Sequence, residues 1–167
     1  MHDEKAPEPG QEQLEQPVLM AKKILGQYLR AAEAEQEARE DLQETRSRMT
    51  SIRGARLETA FVRGGGEGHF LDREIIRLEQ EECRLLEKIK QCQLARRRVK
   101  YRIEQVRSVR LRRVLKLRYV TGMDWQSIAA AMKCDEVRTI YKWHGKALDC
   151  VAAQILYVDE SGGRPNH

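Results

Sequence analysis

Arg138, Thr139, Lys142 and Lys146 recur through a stretch whose apolar side is marked by Val137, Ile140, His144, Ala147, Leu148 and Val151. At about 100° per residue, the four polar residues fall opposite that stripe on a helix. Arginine near a helix start can grip a guanine edge with two hydrogen bonds, and lysines one and two turns further suit phosphates. The chemistry this pattern offers is recognition of a polyanion. Tyr141 and Trp143 lie on the two flanks, Trp143 as a core-edge residue. His144, inside the apolar stripe, reads as a hydrogen-bonded packing residue. Gln126 points outwards at the start of the preceding helix, where amide and dipole favour a phosphate, and Lys133 in the intervening turn completes the DNA-facing set. Arg110, Arg113 and Arg118 are weaker candidates for the DNA backbone. Periodicity alone leaves open a plain three-helix bundle with a solvated basic face.

No other constellation competes. Glu79, Glu81 and Glu82 are close in sequence, but one- and two-residue steps spread them around a helix. Cys83, Cys92, Cys134 and Cys150 contain no C-x-x-C and have no finger-like spacing to a histidine, so no metal site is expected. Cys83 and Cys92 read as small packing residues. The glycines of Arg63–Phe70 are not followed by GKS or GKT, which makes that segment a turn and not a phosphate cradle. The reading is of a protein without enzyme activity, catalytic residues or cofactor.

The elements that position the basic face follow from pattern. The chain has 167 residues, a net charge of +5 and few aromatics, which indicates an all-α fold: a long antiparallel helical hairpin (coiled coil) followed by a C-terminal helix-turn-helix domain. Residues 1–17 are polar and proline-bearing and are expected to be disordered. Residues 18–106 form the hairpin, with a glycine loop at 63–70. Its first helix, from about Val18 to Ala60, carries Leu25, Tyr28, Ala31, Ala38, Leu42, Met49 and Ile52 on a loose heptad and is expected to end or fray at Gly54. The second carries Leu71, Ile75, Leu78, Leu85, Ile89, Cys92, Val99, Ile103 and Val106, with Glu82 and Arg96 filling the remaining slots of about five heptads. In a parallel dimer these charges would meet their own copies; in an intrachain hairpin they face other residues. Either arrangement leaves a homodimer through the coiled coil as a candidate assembly.

Residues 107–156 form the helix-turn-helix. Leu111, Val114, Leu117 and Tyr119 pack its first helix, with Leu115 flanking. Gly122 suits a left-handed helix end, Asp124 caps the helix of Trp125, Ile128, Ala129 and Met132, and Asp135 is a candidate cap for the last helix. Residues 157–167 are expected to be a disordered tail. Between Arg96 and Arg118 eleven bases accompany one acid, Glu104, which concentrates positive potential just before the helix-turn-helix. No signal peptide is expected, and no apolar run approaches the roughly 20 residues a membrane span needs. Double-stranded DNA is the expected partner, membranes are not, and the cytoplasm is the expected compartment.

The pattern R-x-V-L-x-L-R-Y-x-x-G-x-x-W-x-x-I-A, here Arg112–Ala129, resembles region 4 of bacterial sigma factors. I-Y-K-W-H-G-K-A-L, Ile140–Leu148, is similar to the sigma-like phage regulators of the RinA and ArpU type. A-K-x-x-L-x-Q-Y-L, Ala21–Leu29, resembles the opening of a related uncharacterised phage family. The resemblance implies a phage or prophage transcription regulator that reads promoter DNA in the cytoplasm of a bacterial host, and makes RNA polymerase a candidate partner. Lys133 departs from the usual glycine or asparagine of the turn, and Asp135 and Glu136 stand where serine and arginine are usual. Other readings are a small-terminase-like DNA-packaging component and a coiled-coil adaptor.

Overall fold

The computed structural model describes residues 9–61 and 68–161. They form α1 (Pro9–Leu25), α2 (Gln27–Phe61), α3 (Gly68–Glu104), α4 (Val109–Leu115), a π-helical turn (Lys116–Val120), α5 (Trp125–Ala131) and α6 (Val137–Ser161). Among the described residues there is no strand, so the chain is all-α as its composition indicates. The described residues form two compact units, one within 31–95 and one made of 9–30 together with 96–161. This division differs from the expected boundary at 106/107, because α1 packs on α6 as part of the C-terminal unit.

Within residues 31–95, α2 and α3 run antiparallel. Glu35 accepts from Gln93 at 3.1 Å, Arg46 meets Glu82 at 2.7 Å and Arg56 meets Asp72 at 3.1 Å, one number rising as the other falls. Arg48–Glu74 and Arg53–Glu79, at 3.4 and 3.1 Å, also cross between the two helices, offset to either side of that register, again with arginine on α2 and acid on α3. The seam itself is thin: Ala38, Leu42, Leu85 and Ile89 form its central cluster. Glu35 and Thr45, both buried, continue the alternating three- and four-residue steps of α2 and place polar groups in a seam expected to be apolar. Glu82 is held by Arg46, the kind of intrachain partner a hairpin allows.

The C-terminal unit has two cores. One gathers Leu25 and Tyr28, Val99, Ile103 and Val106, Leu115, and Leu148 and Val151. The other gathers Val114, Ile128, Ala129 and Ile140. The adjacent residues Val114 and Leu115 are both fully buried and serve different cores. Leu115 is therefore central, not flanking, because α4 lies between two apolar surfaces.

Several boundaries differ from expectation. Residues 9–17 are helical, as part of α1; residues 1–8 lie outside the described residues. The chain breaks at Gly26, where an added Cβ would sit 3.2 Å from the Lys22 carbonyl. α2 continues through Gly54 to Phe61, since its backbone hydrogen bonds run on despite glycine's entropic cost. Of the glycine loop expected at 63–70, residues 63–67 lie outside the described residues and Gly68–Phe70 already belong to α3. α6 extends to Ser161, so Tyr157–Ser161 are helical and residues 162–167 lie outside the described residues. Cys83 is exposed and is not the packing residue expected, since it falls off the seam of α3; Cys92 is half-buried.

Candidate nucleic-acid interface

The basic face is aimed by two helix ends and a buried aromatic cluster. Gly122 adopts φ +77°, the left-handed conformation expected after α4 and the π-helical turn. Asp124 then caps α5: its Oδ1 accepts from the amides of Gln126 and Ser127, each at 3.0 Å, and its Oδ2 from the Ser127 hydroxyl at 2.6 Å. The Ser127 hydroxyl, with the Ser127 and Gln126 amides, holds the Asp124 carboxyl below its ordinary pKa.

α5 ends in a Schellman motif. The Lys133 amide donates to the Ala130 carbonyl at 3.1 Å and the Cys134 amide to the Ala129 carbonyl at 2.9 Å. The residue at its left-handed position is Lys133, φ +52°, where glycine is the unstrained choice. α6 opens at Val137, and the Glu136 carbonyl accepts from the Thr139 amide at 3.0 Å.

The back of α6 is fixed by His144, which is 9% exposed. Its Nε2 lies 3.0 Å from the Tyr119 hydroxyl, and its ring meets Trp125 edge-on at 4.8 Å. Burial, reinforced by the charges of Lys22 and Arg118, lowers the imidazole pKa to about 4. A neutral ring can accept the Tyr119 proton at Nε2. This is the hydrogen-bonded packing role read from its place in the apolar stripe.

With the back thus clamped, Arg138, Lys142 and Lys146 are exposed on one side of α6, Thr139 is half-buried beside them, and Tyr141 is 50% exposed with its ring 4.9 Å from Trp125. Lys133 is exposed in the turn, and Asp135 and Glu136 are exposed at the start of α6. Among the described residues, Lys133, Arg138, Lys142 and Lys146 enter no ion pair. Asp149, also exposed, follows Lys146 by three residues and closes the cationic stripe.

Gln126 is exposed, but its amide is occupied by Asp124. The expected amide contact to phosphate therefore falls away, and its side chain alone faces solvent. The three weaker candidates are engaged within the domain. Arg118 donates to the Met123 carbonyl at 3.0 Å and lies 4.6 Å over the Trp125 ring. Arg113 donates to the Ala131 carbonyl at 3.2 Å, pinning α4 to the C-terminal end of α5. Arg110 stacks on Trp143 at 4.8 Å. Arg110 and Arg113 remain exposed, whereas Arg118 is half-buried. What separates Arg118 from the others is that the Gly122 turn brings both the Met123 carbonyl and the Trp125 ring back onto it.

Tyr119, Trp125 and His144 are the supporting cluster that a search for surface residues misses. The arrangement can present a rigid row of cations to an anionic surface. Among the described residues no group of histidine, cysteine and acid side chains is placed to hold a metal ion. No protein-family model matches the chain, and neither does any curated protein or solved structure.

Proposed function

We propose that this chain is a DNA-binding transcription regulator of phage or prophage type, in which α5, its turn and α6 act as a sigma region 4-like helix-turn-helix. α6 enters the major groove. Arg138 and Thr139 reach base edges, and Lys142, Lys146 and Lys133 hold phosphates. The observation that carries the reading is the exposed, unpaired row Arg138, Lys142 and Lys146 on a helix whose opposite side is clamped by His144. A solvated face on a bundle needs no such rigidity, whereas groove recognition does.

The sigma-like spacing of Arg112–Ala129 supports the same reading and brings RNA polymerase in as a second partner, in the bacterial cytoplasm. Assembly as a homodimer through α2 and α3 would double the DNA contacts. The reading assigns binding and no catalysis. Among the described residues no helix is long and apolar enough to cross a membrane.

A gel-shift series on duplexes from promoters ahead of phage virion genes tests the proposal. The full chain is expected to retard at least one such duplex, and Arg138→Ala with Lys142→Ala to abolish the shift. Retardation that survives this double substitution contradicts the assignment of the face.

A further inference from the structure

A second surface lies in the C-terminal unit, further along α6 than the basic row. A groove of about 820 Å³ runs beside the end of α3. Arg98, Tyr101, Arg102 and Gln105 line it at steps of three, four and seven residues, one face of a helical path. Ile24 of α1 and Tyr157 of α6 line it from the neighbouring helices, and Arg107 also borders it. Tyr101 and Tyr157 are 66% and 74% exposed.

Charge decides what such a groove accepts. Among the described residues no acid lines it, and Arg98, Arg102 and Arg107 pair with no carboxylate. The arginines of residues 31–95 behave differently: Arg46, Arg48, Arg53 and Arg56 each have an acidic partner on α3. The groove therefore joins the apolar surface of Ile24, Val99, Tyr101 and Tyr157 to three arginines that have no carboxylate partner among the described residues.

We propose that the groove receives an acidic amphipathic helix from a partner protein. Apolar side chains at i and i+3 or i+4 of that helix would lie against Ile24, Tyr101 and Tyr157. Flanking glutamates or aspartates would take charge-assisted hydrogen bonds from Arg98, Arg102 and Arg107. Residues 98–105 span about 10 Å, which matches two turns of a docked helix. Ile24 and Val99 favour a peptide with apolar side chains, whereas a nucleic-acid strand would draw only on the tyrosine rings and the arginines. Tyr157 lies eleven residues, about 16 Å, along α6 beyond Lys146, the last cation of the basic row.

The test uses the full chain and a fluorescein-labelled, stapled peptide of about 18 residues, five helical turns, with leucines on one face and glutamates elsewhere. Anisotropy is read at about 150 mM salt, where exposed long-range charge is screened. The acidic peptide is expected to bind at least about tenfold tighter than a version with lysine for glutamate. Arg98→Glu with Arg102→Glu is expected to weaken it about tenfold or more. Tyr101→Ala, at an exposed side chain whose loss leaves the core intact, is expected to weaken it severalfold. Binding of the lysine peptide with equal strength, or undiminished binding by these variants, overturns the proposal. So does displacement of the peptide by a single-stranded oligonucleotide of about 12 nucleotides, which would mark the groove as a nucleic-acid channel. Loss of peptide binding on Arg138→Ala with Lys142→Ala would reassign it to general charge attraction and overturn it too.

Discussion

The Tyr119 hydroxyl and Nε2 of His144 lie 3.0 Å apart, and this contact joins the π-helical turn to the middle of α6. It forms between a phenol whose pKa burial raises and an imidazole that burial, with Lys22 and Arg118 nearby, holds neutral. The helix that carries the basic face is thereby clamped through groups that cannot easily charge.

This clamp predicts acid sensitivity. The imidazole titrates at about 4 in the folded chain against an ordinary value of 6.5. Above pH 6.5 both states hold a neutral ring and the contact contributes fully. As pH falls from 6.5 towards 4, the unfolded chain takes up the proton first and stability declines; below 4 both states are charged and this loss stops. Urea melts at pH 7.5 and pH 5 should differ through His144 by roughly 2 kcal/mol. His144→Gln should flatten that dependence, whatever it does to stability at neutral pH. An unchanged slope in the variant would place the acid sensitivity elsewhere.

Lys133 occupies the left-handed position of the α5 Schellman motif, φ +52°. Lys133→Gly should stabilise the chain by about 1 kcal/mol, and Lys133→Val should destabilise it by at least as much, because β-branching worsens the clash. Chemical denaturation of the two variants checks both signs.

Gly54 lies within α2, and an added Cβ there meets nothing within 4 Å. Gly54→Ala should raise stability by about 0.5–1 kcal/mol through helix propensity and a less mobile unfolded chain. A fall in the melting temperature would show that α2 does not run through this position.

The pairing of Arg46 with Glu82 at 2.7 Å predicts charge-swap behaviour. Arg46→Glu alone should cost about 0.5–1 kcal/mol, and adding Glu82→Arg should recover most of it. Failure of the second substitution to rescue the first would argue against this register of the hairpin.

Much of this architecture is legible in the residues because helical periodicity is written locally. The seam of Ile75, Leu78, Leu85 and Ile89, the Gly122 helix end and the Asp124 cap each depend on neighbours within a few positions. The packing of α1 on α6 is not legible in that way. Ala21 and Leu25 show only an apolar stripe, and nothing in it says whether α3 or α6 will cover it. The break at Gly26 is visible only once the Lys22 carbonyl closes over it. The same holds at the candidate interface. The exposure of Arg138, Lys142 and Lys146 follows from period, whereas the retirement of Arg118 onto Trp125 depends on a turn that folds the two together.

The most direct test of the central proposal is the salt dependence of duplex DNA binding, measured by anisotropy on one phage-promoter duplex. The logarithm of affinity should fall linearly with the logarithm of salt, and Arg138→Ala with Lys142→Ala should weaken binding and make that slope shallower by about 1, the share of the Lys142 phosphate contact. A slope identical in the parent and the double variant, or no duplex binding at low salt, would contradict the assignment of α6 to the major groove.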